Sequence, residues 1–134
     1  MFNLLWVANS VVAFGAPGDL DPTFGNAGFV VTEVGWVYTA ANGIVLQPDG
    51  KILVGGTTRP PSSSYEDYLV LRYNSDGSLD TSFNGTGYVT TDLGGGLGDY
   101  GTAIALQTDG KIVTAGYTKN GSVFDLGLVL YNST

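Results

Sequence analysis

The sequence predicts an all-β chain of tandem four-stranded antiparallel meanders, and three observations carry that expectation. Leu46-Gln47-Pro48-Asp49-Gly50-Lys51-Ile52 returns as Leu106-Gln107-Thr108-Asp109-Gly110-Lys111-Ile112. An Asp-Gly pair between two apolar runs reads as a β-hairpin, with a two-residue turn of positive φ at both centres. Glycine occurs 21 times, and apolar residues make up 43% of the chain against 13% charged, which excludes a disordered segment and a coiled coil. Val, Ile, Thr and Tyr are frequent, and no stretch places apolar residues at a sustained helical spacing. With 134 residues the chain holds one ordinary domain and a sizeable core.

In chain order, residues 1–16 are apolar and uncharged, too short to span a bilayer comfortably, and end in small residues. They read either as a secretory signal peptide or as the last strand of a preceding blade, since Val11 to Gly18 aligns without gaps on Val70 to Gly77. From there the repeat is plain. Gly18-Asp19-Leu20-Asp21-Pro22-Thr23-Phe24 is answered by Gly77-Ser78-Leu79-Asp80-Thr81-Ser82-Phe83, and Gly28-Phe29-Val30 by Gly87-Tyr88-Val89. The period of about 60 residues is a propeller-blade or array length. It divides the chain into a first repeat over 17–76 and a second over 77–134, a partial β-propeller of two blades.

Four strands are expected per period: Phe29 to Val34, Asn42 to Gln47, Lys51 to Thr57 and Asp67 to Asn74, then Tyr88 to Leu93, Thr102 to Gln107, Lys111 to Thr118 and Phe124 to Asn132. Runs such as Ile52-Leu53-Val54 and Leu69-Val70-Leu71 are apolar at consecutive positions, so both faces of each sheet need cover. Leu20 and Phe24, with Leu79 and Phe83, read as apolar plugs between blades.

The net charge of −7 with five basic residues excludes a nucleic-acid-binding patch. Without Cys or His the chain has no disulfide, no thiolate nucleophile and no imidazole base, and it lacks the usual ligands for transition-metal and redox chemistry.

The blocks Gly-x-Leu-Asp-x-x-Phe, Leu-Gln-x-Asp-Gly-Lys-Ile, and Asp67 through Arg72-Tyr73-Asn74-Ser75-Asp76-Gly77 recur in order from about Gly18 to Asn132. In these the chain resembles the delta-60 repeat proteins, a β-propeller repeat of exported bacterial proteins. The resemblance implies a propeller-like fold and a secreted or cell-surface location, and it implies no established activity. The Ala16-Pro17-Gly18-Asp19-Leu20-Asp21 junction looks like the mature start of such proteins. The last strand departs from the pattern, with Leu130 where the first copy has Arg72.

Candidate sites are few. Gly96, Gly98 and Gly101 spell a nominal dinucleotide fingerprint, but a strand follows where a helix should open, which makes this a loop. Asn74, Asp76 and Asp80 offer oxygen ligands at a spacing like that of calcium loops, with Gly77 at the bend; the same residues also serve as turn formers. Calcium is thus the one cofactor to consider. Tyr38, Tyr65, Tyr68, Tyr100 and Tyr117, with Trp36, line a sugar- or peptide-binding surface if loops gather them, and pack in the core or on strand faces if not. Acids paired by the repeat, such as Asp21/Asp80 and Asp67/Asp125, read as turn or edge residues, and no catalytic residue is named.

The sequence therefore points to a non-catalytic, exported repeat module that binds or scaffolds at the cell surface, against the alternative of a fragment of a propeller enzyme acting on sugars or lactones. Its expected partners are a protein or carbohydrate ligand, and further blades from a longer chain or from homo-oligomerisation. Nucleic acid and a membrane span in the mature chain are not expected.

Overall fold

The computed structural model describes residues 15–34, 37–94 and 97–133. Among these it is all-β, with β1 (Tyr38–Leu46), β2 (Ile52–Arg59), β3 (Asp67–Tyr73), β4 (Tyr88–Thr91), β5 (Asp99–Leu106), β6 (Ile112–Asn120) and β7 (Val123–Tyr131). They form two antiparallel meanders, a four-stranded sheet β1-β2-β3-β4 and a three-stranded sheet β5-β6-β7. No helix among the described residues is long and apolar enough to cross a membrane. The expected signal peptide or preceding strand lies almost entirely outside the described residues, as do Trp36 and Gly96.

The two Asp-Gly hairpins adopt the same turn, and it differs from the expected one. Gly50 N–H donates to Gln47 O at 3.0 Å and Gln47 N–H to Lys51 O at 2.8 Å, closing a three-residue loop, Pro48-Asp49-Gly50. Only Gly50 has positive φ there, +85°. Pro48 presets the first turn position, and the Asp49 carboxylate accepts the Lys51 N–H at 3.1 Å, so Asp49 holds the loop without entering the left-handed region. Thr108 replaces the proline in the second copy with the same backbone bonds, so Asp-Gly suffices.

Sequence period and sheet are offset by one strand. β4 opens the second period, yet it pairs with β3 and completes the first sheet, Leu71 opposite Tyr88. Its first-copy counterpart, expected as a strand over Phe29 to Val34, forms only an isolated bridge between Phe29 and Gly25. In the described sheet that strand type pairs with the strand ending the preceding period, as β4 does with β3.

The sheets stack through β5, which lies against β1, β2 and β3. Leu53, Val70, Phe83 and Ile112 form the buried centre, with Val45, Val89, Ile104, Leu106 and Tyr131 packed around it. Close approach requires small residues: a Cβ on Gly55 would lie 2.8 Å from Ile104 Cβ. Of the expected plugs Phe83 is buried, whereas its counterpart Phe24 is half-buried and Leu20 is exposed. The Arg72 guanidinium lies over the Phe83 ring at 4.7 Å and donates from Nε to Asp80 Oδ2 at 2.7 Å, clamping the inter-period segment onto β3.

Candidate functional site

The groove with the most ligand-like chemistry is built by residues from both sheets. Tyr38 and Asn42 on β1, Thr57 on β2, Glu66 before β3, Tyr100 and Thr102 on β5, and Tyr117 on β6 enclose about 450 Å³. Two of these residues sit where the strand register slips, between Ala41 and Gly43 on β1 and between Gly101 and Ala103 on β5. A bulge inserts one residue, bends its strand and re-aims a side chain, which is how Asn42 and Thr102 reach the groove. Asn42 Nδ2 and the Thr57 hydroxyl both donate to Gly101 O, at 2.7 and 3.2 Å, and tie the sheets together at the groove floor.

The aromatic wall is preorganised. Tyr100 and Tyr117 stack with ring centroids 4.8 Å apart and planes at 23°, and Phe124 meets Tyr117 edge-on at 5.4 Å. Such pairs contribute roughly 0.5–1.5 kcal/mol beyond their area. The Tyr100 hydroxyl donates to Glu66 Oε2 at 2.9 Å, and Arg59 stands 3.8 Å from Glu66 Oε1. Burial, and after it the Glu66 carboxylate, raises the Tyr100 pKa, so the phenol remains a donor at neutral pH.

Of the tyrosines singled out in the sequence, the structure gathers Tyr38, Tyr100 and Tyr117. Tyr65 is exposed and is not among the residues lining the groove. Tyr68 is fully buried and donates to Gly127 O at 3.2 Å, and burial followed by the nearby Asp99 pushes its pKa up to about 12. Asn42, Thr57, Glu66 and Thr102 escaped the sequence reading; the matching positions of Asn42 and Thr102 in the two copies were the available signal.

The Asn74, Asp76 and Asp80 set is engaged in local bonds. Asp76 Oδ1 accepts from the Ser78 N–H and hydroxyl at 2.9 and 2.6 Å, and Asn74 Nδ2 donates to Ser78 Oγ at 2.9 Å. Asp80 Oδ1 accepts from Ser82, while Oδ2 pairs with Lys51 and Arg72, each at 2.7 Å. A calcium ion there would compete with two cations for Asp80. Gly101 lies inside β5, consistent with a strand rather than a helix after the glycine-rich stretch.

Residues 47–83 and 107–134 match the family described as "Domain of unknown function (DUF5122) beta-propeller". No curated protein and no solved structure matches the chain. Each matched segment begins at an Asp-Gly hairpin and runs through the two strands that follow it, and together with two antiparallel sheets stacked face to face this supports a β-propeller repeat family for the chain.

Proposed function

We propose that the chain is a non-catalytic, exported β-propeller repeat module of the delta-60 type, which binds a carbohydrate or protein ligand at the cell surface through the tyrosine groove. The observation that carries this reading is the stacked Tyr100–Tyr117 pair standing beside Asn42, Thr102 and Glu66 in one groove. Flat aromatic faces take the apolar face of a sugar ring or a peptide side chain, and the neighbouring amide, hydroxyl and carboxylate fix its orientation. The matched family supports the propeller architecture; what supports export and a cell-surface location is the sequence alone, the apolar stretch 1–16 read as a signal peptide and the Ala16-Pro17-Gly18 junction. Further blades, from a longer chain or from other copies, are the remaining partners in this reading.

The alternative, a propeller enzyme acting on sugars or lactones, needs in its glycosidase form paired carboxylates about 5–9.5 Å apart across the scissile bond. Among the described residues lining the groove, Glu66 is the one acid, and it already accepts the Tyr100 hydroxyl. The test is calorimetric titration with neutral and acidic oligosaccharides and with extended peptides, alongside Tyr117→Ala. Binding weakened more than about tenfold by Y117A at a temperature where the variant is still fully folded supports the binding reading. Turnover of a glycoside or lactone that Glu66→Gln abolishes would replace it with the enzyme.

A further inference from the structure

Asp67 opens β3, Asp92 follows β4 and Asp99 opens β5, so three acids from three strand ends meet where the two sheets join. One carboxylate oxygen of each lies within 4.8 Å of the others. The Tyr68–Thr91 pairing, continued by one residue, sets Asp67 directly opposite Asp92. Like charges at such positions on neighbouring antiparallel strands repel. Asp99 is brought in by its own backbone, whose N–H donates to Glu66 O at 2.7 Å.

A second observation comes from hydrogen-bond satisfaction at Asp99. The residue is 0% exposed. Its Oδ2 accepts the Leu93 N–H at 2.6 Å, while its Oδ1 is buried without a partner. A buried carboxylate oxygen left unpaired is costly. Among the described residues the ion pairs go to Asp80, Glu66 and Asp109, and none reaches Asp67, Asp92 or Asp99. Among the described residues, therefore, no side chain supplies a charge to balance the three.

We propose that Asp67, Asp92 and Asp99 form a calcium site at the junction of the two sheets. Three carboxylates give hard oxygen ligands, and calcium accepts six to eight of these in a flexible geometry that admits bidentate carboxylates and water. Magnesium demands a near-ideal octahedron and gives up water reluctantly, so it fits a site assembled from three separate strand ends less well. Asp92 is exposed and leaves one side open to water, whereas Asp99 forms the dry wall. The site adjoins the groove, since Glu66 precedes Asp67 and Tyr100 follows Asp99, but it is separate from the groove lining and from the Asn74, Asp76 and Asp80 turn.

The test uses the full chain after chelator treatment, titrated with calcium chloride by calorimetry and followed by thermal melting. Calcium at about ten times its dissociation constant is expected to raise the melting temperature by roughly 5 °C, with a smaller response to magnesium. Asp92→Asn, at an exposed position, keeps the fold and weakens calcium on the order of tenfold. Asp99→Asn abolishes the response while its calcium-free melting temperature stays at or above that of the unsubstituted chain, because a repelling charge is gone. Asp76→Asn leaves the calcium response intact. No heat and no shift up to about 10 mM calcium overturns the proposal. So does a response that survives both D92N and D99N, or one that D76N removes, since the ion then sits elsewhere.

Discussion

Gly50 and Gly110 each hold φ at +85° beside an aspartate that caps the same loop. A Cβ on Gly50 would meet nothing closer than Ser75 Cβ at 3.6 Å, so the cost of Gly50→Ala is conformational alone. It is expected to be about 1 kcal/mol, read from a urea unfolding curve with unchanged slope. Asp80 is the residue whose charge matters most to the fold. The Lys51 ammonium first, then the Ser82 hydroxyl and the Arg72 guanidinium, hold its carboxyl well below the usual range. A depressed folded-state pKa means that its stabilisation is fully present above the unfolded value near pH 4 and is lost as pH falls through the folded one. Melting temperature should therefore drop as pH falls from about 4 toward 2. Asp80→Asn should melt lower at pH 7, by roughly 3 kcal/mol of stability, and show a flatter acid limb. An acid limb identical in both proteins would show that Asp80 does not carry the transition.

At the scale of the strand, glycines decide where the sheets can touch. Tyr68 on β3 passes under β7, and a Cβ on Gly127 would lie 2.6 Å from its hydroxyl oxygen and 2.7 Å from Leu93 Cδ1. Gly127→Ala is expected to destabilise by about 1–3 kcal/mol, and Tyr68→Phe in the same chain to recover part of that loss, a coupling measurable in a double-mutant cycle. Strands of this kind were legible in the sequence, because the β1–β2 and β5–β6 hairpins rest on local turn chemistry, and β2 and β3 on uninterrupted apolar runs. The partner of β4 was not, since nothing in Tyr88-Val89-Thr90-Thr91 itself says whether it joins the sheet before or after it. Of the groove, the tyrosines were legible as candidates and their selection was not. Which of them converge depends on the bulges at Asn42 and Thr102, and a bulge is a matter of register rather than residue type. Asp99 was missed for a similar reason. Thr39 stands at the same strand position in the first copy, opposite Thr58 as Asp99 is opposite Thr118, so the repeat offered no pair to notice.

Across the whole molecule, one sheet face is used twice but buried once. Tyr68, Val70 and Arg72 on β3 face the second sheet and are buried there; their counterparts on β7, Leu126, Leu128 and Leu130, are 82%, 67% and 55% exposed. The first sheet offers its Leu53 face to the Ile112 face of the second, so the packing runs head to tail, and another blade presenting an Ile112-type face is the complement of the open leucines. A heterologous contact of this type continues until rotation closes a ring. Burying three leucines is favourable by roughly 5–8 kcal/mol, while association costs an estimated 4–15 kcal/mol. Self-association of the chain should therefore be weak and concentration-dependent rather than tight. Light scattering is expected to show a monomer at low micromolar concentration that grows with concentration and binds an apolar-surface dye. Leu128→Lys with Leu130→Arg, the second restoring the residue type of Arg72, should abolish both the growth and the dye signal while leaving the melting temperature within about 2 °C, because exposed positions carry little packing energy. A chain that stays monomeric at every concentration and binds no dye would mean that the β7 face is stable in water as it stands.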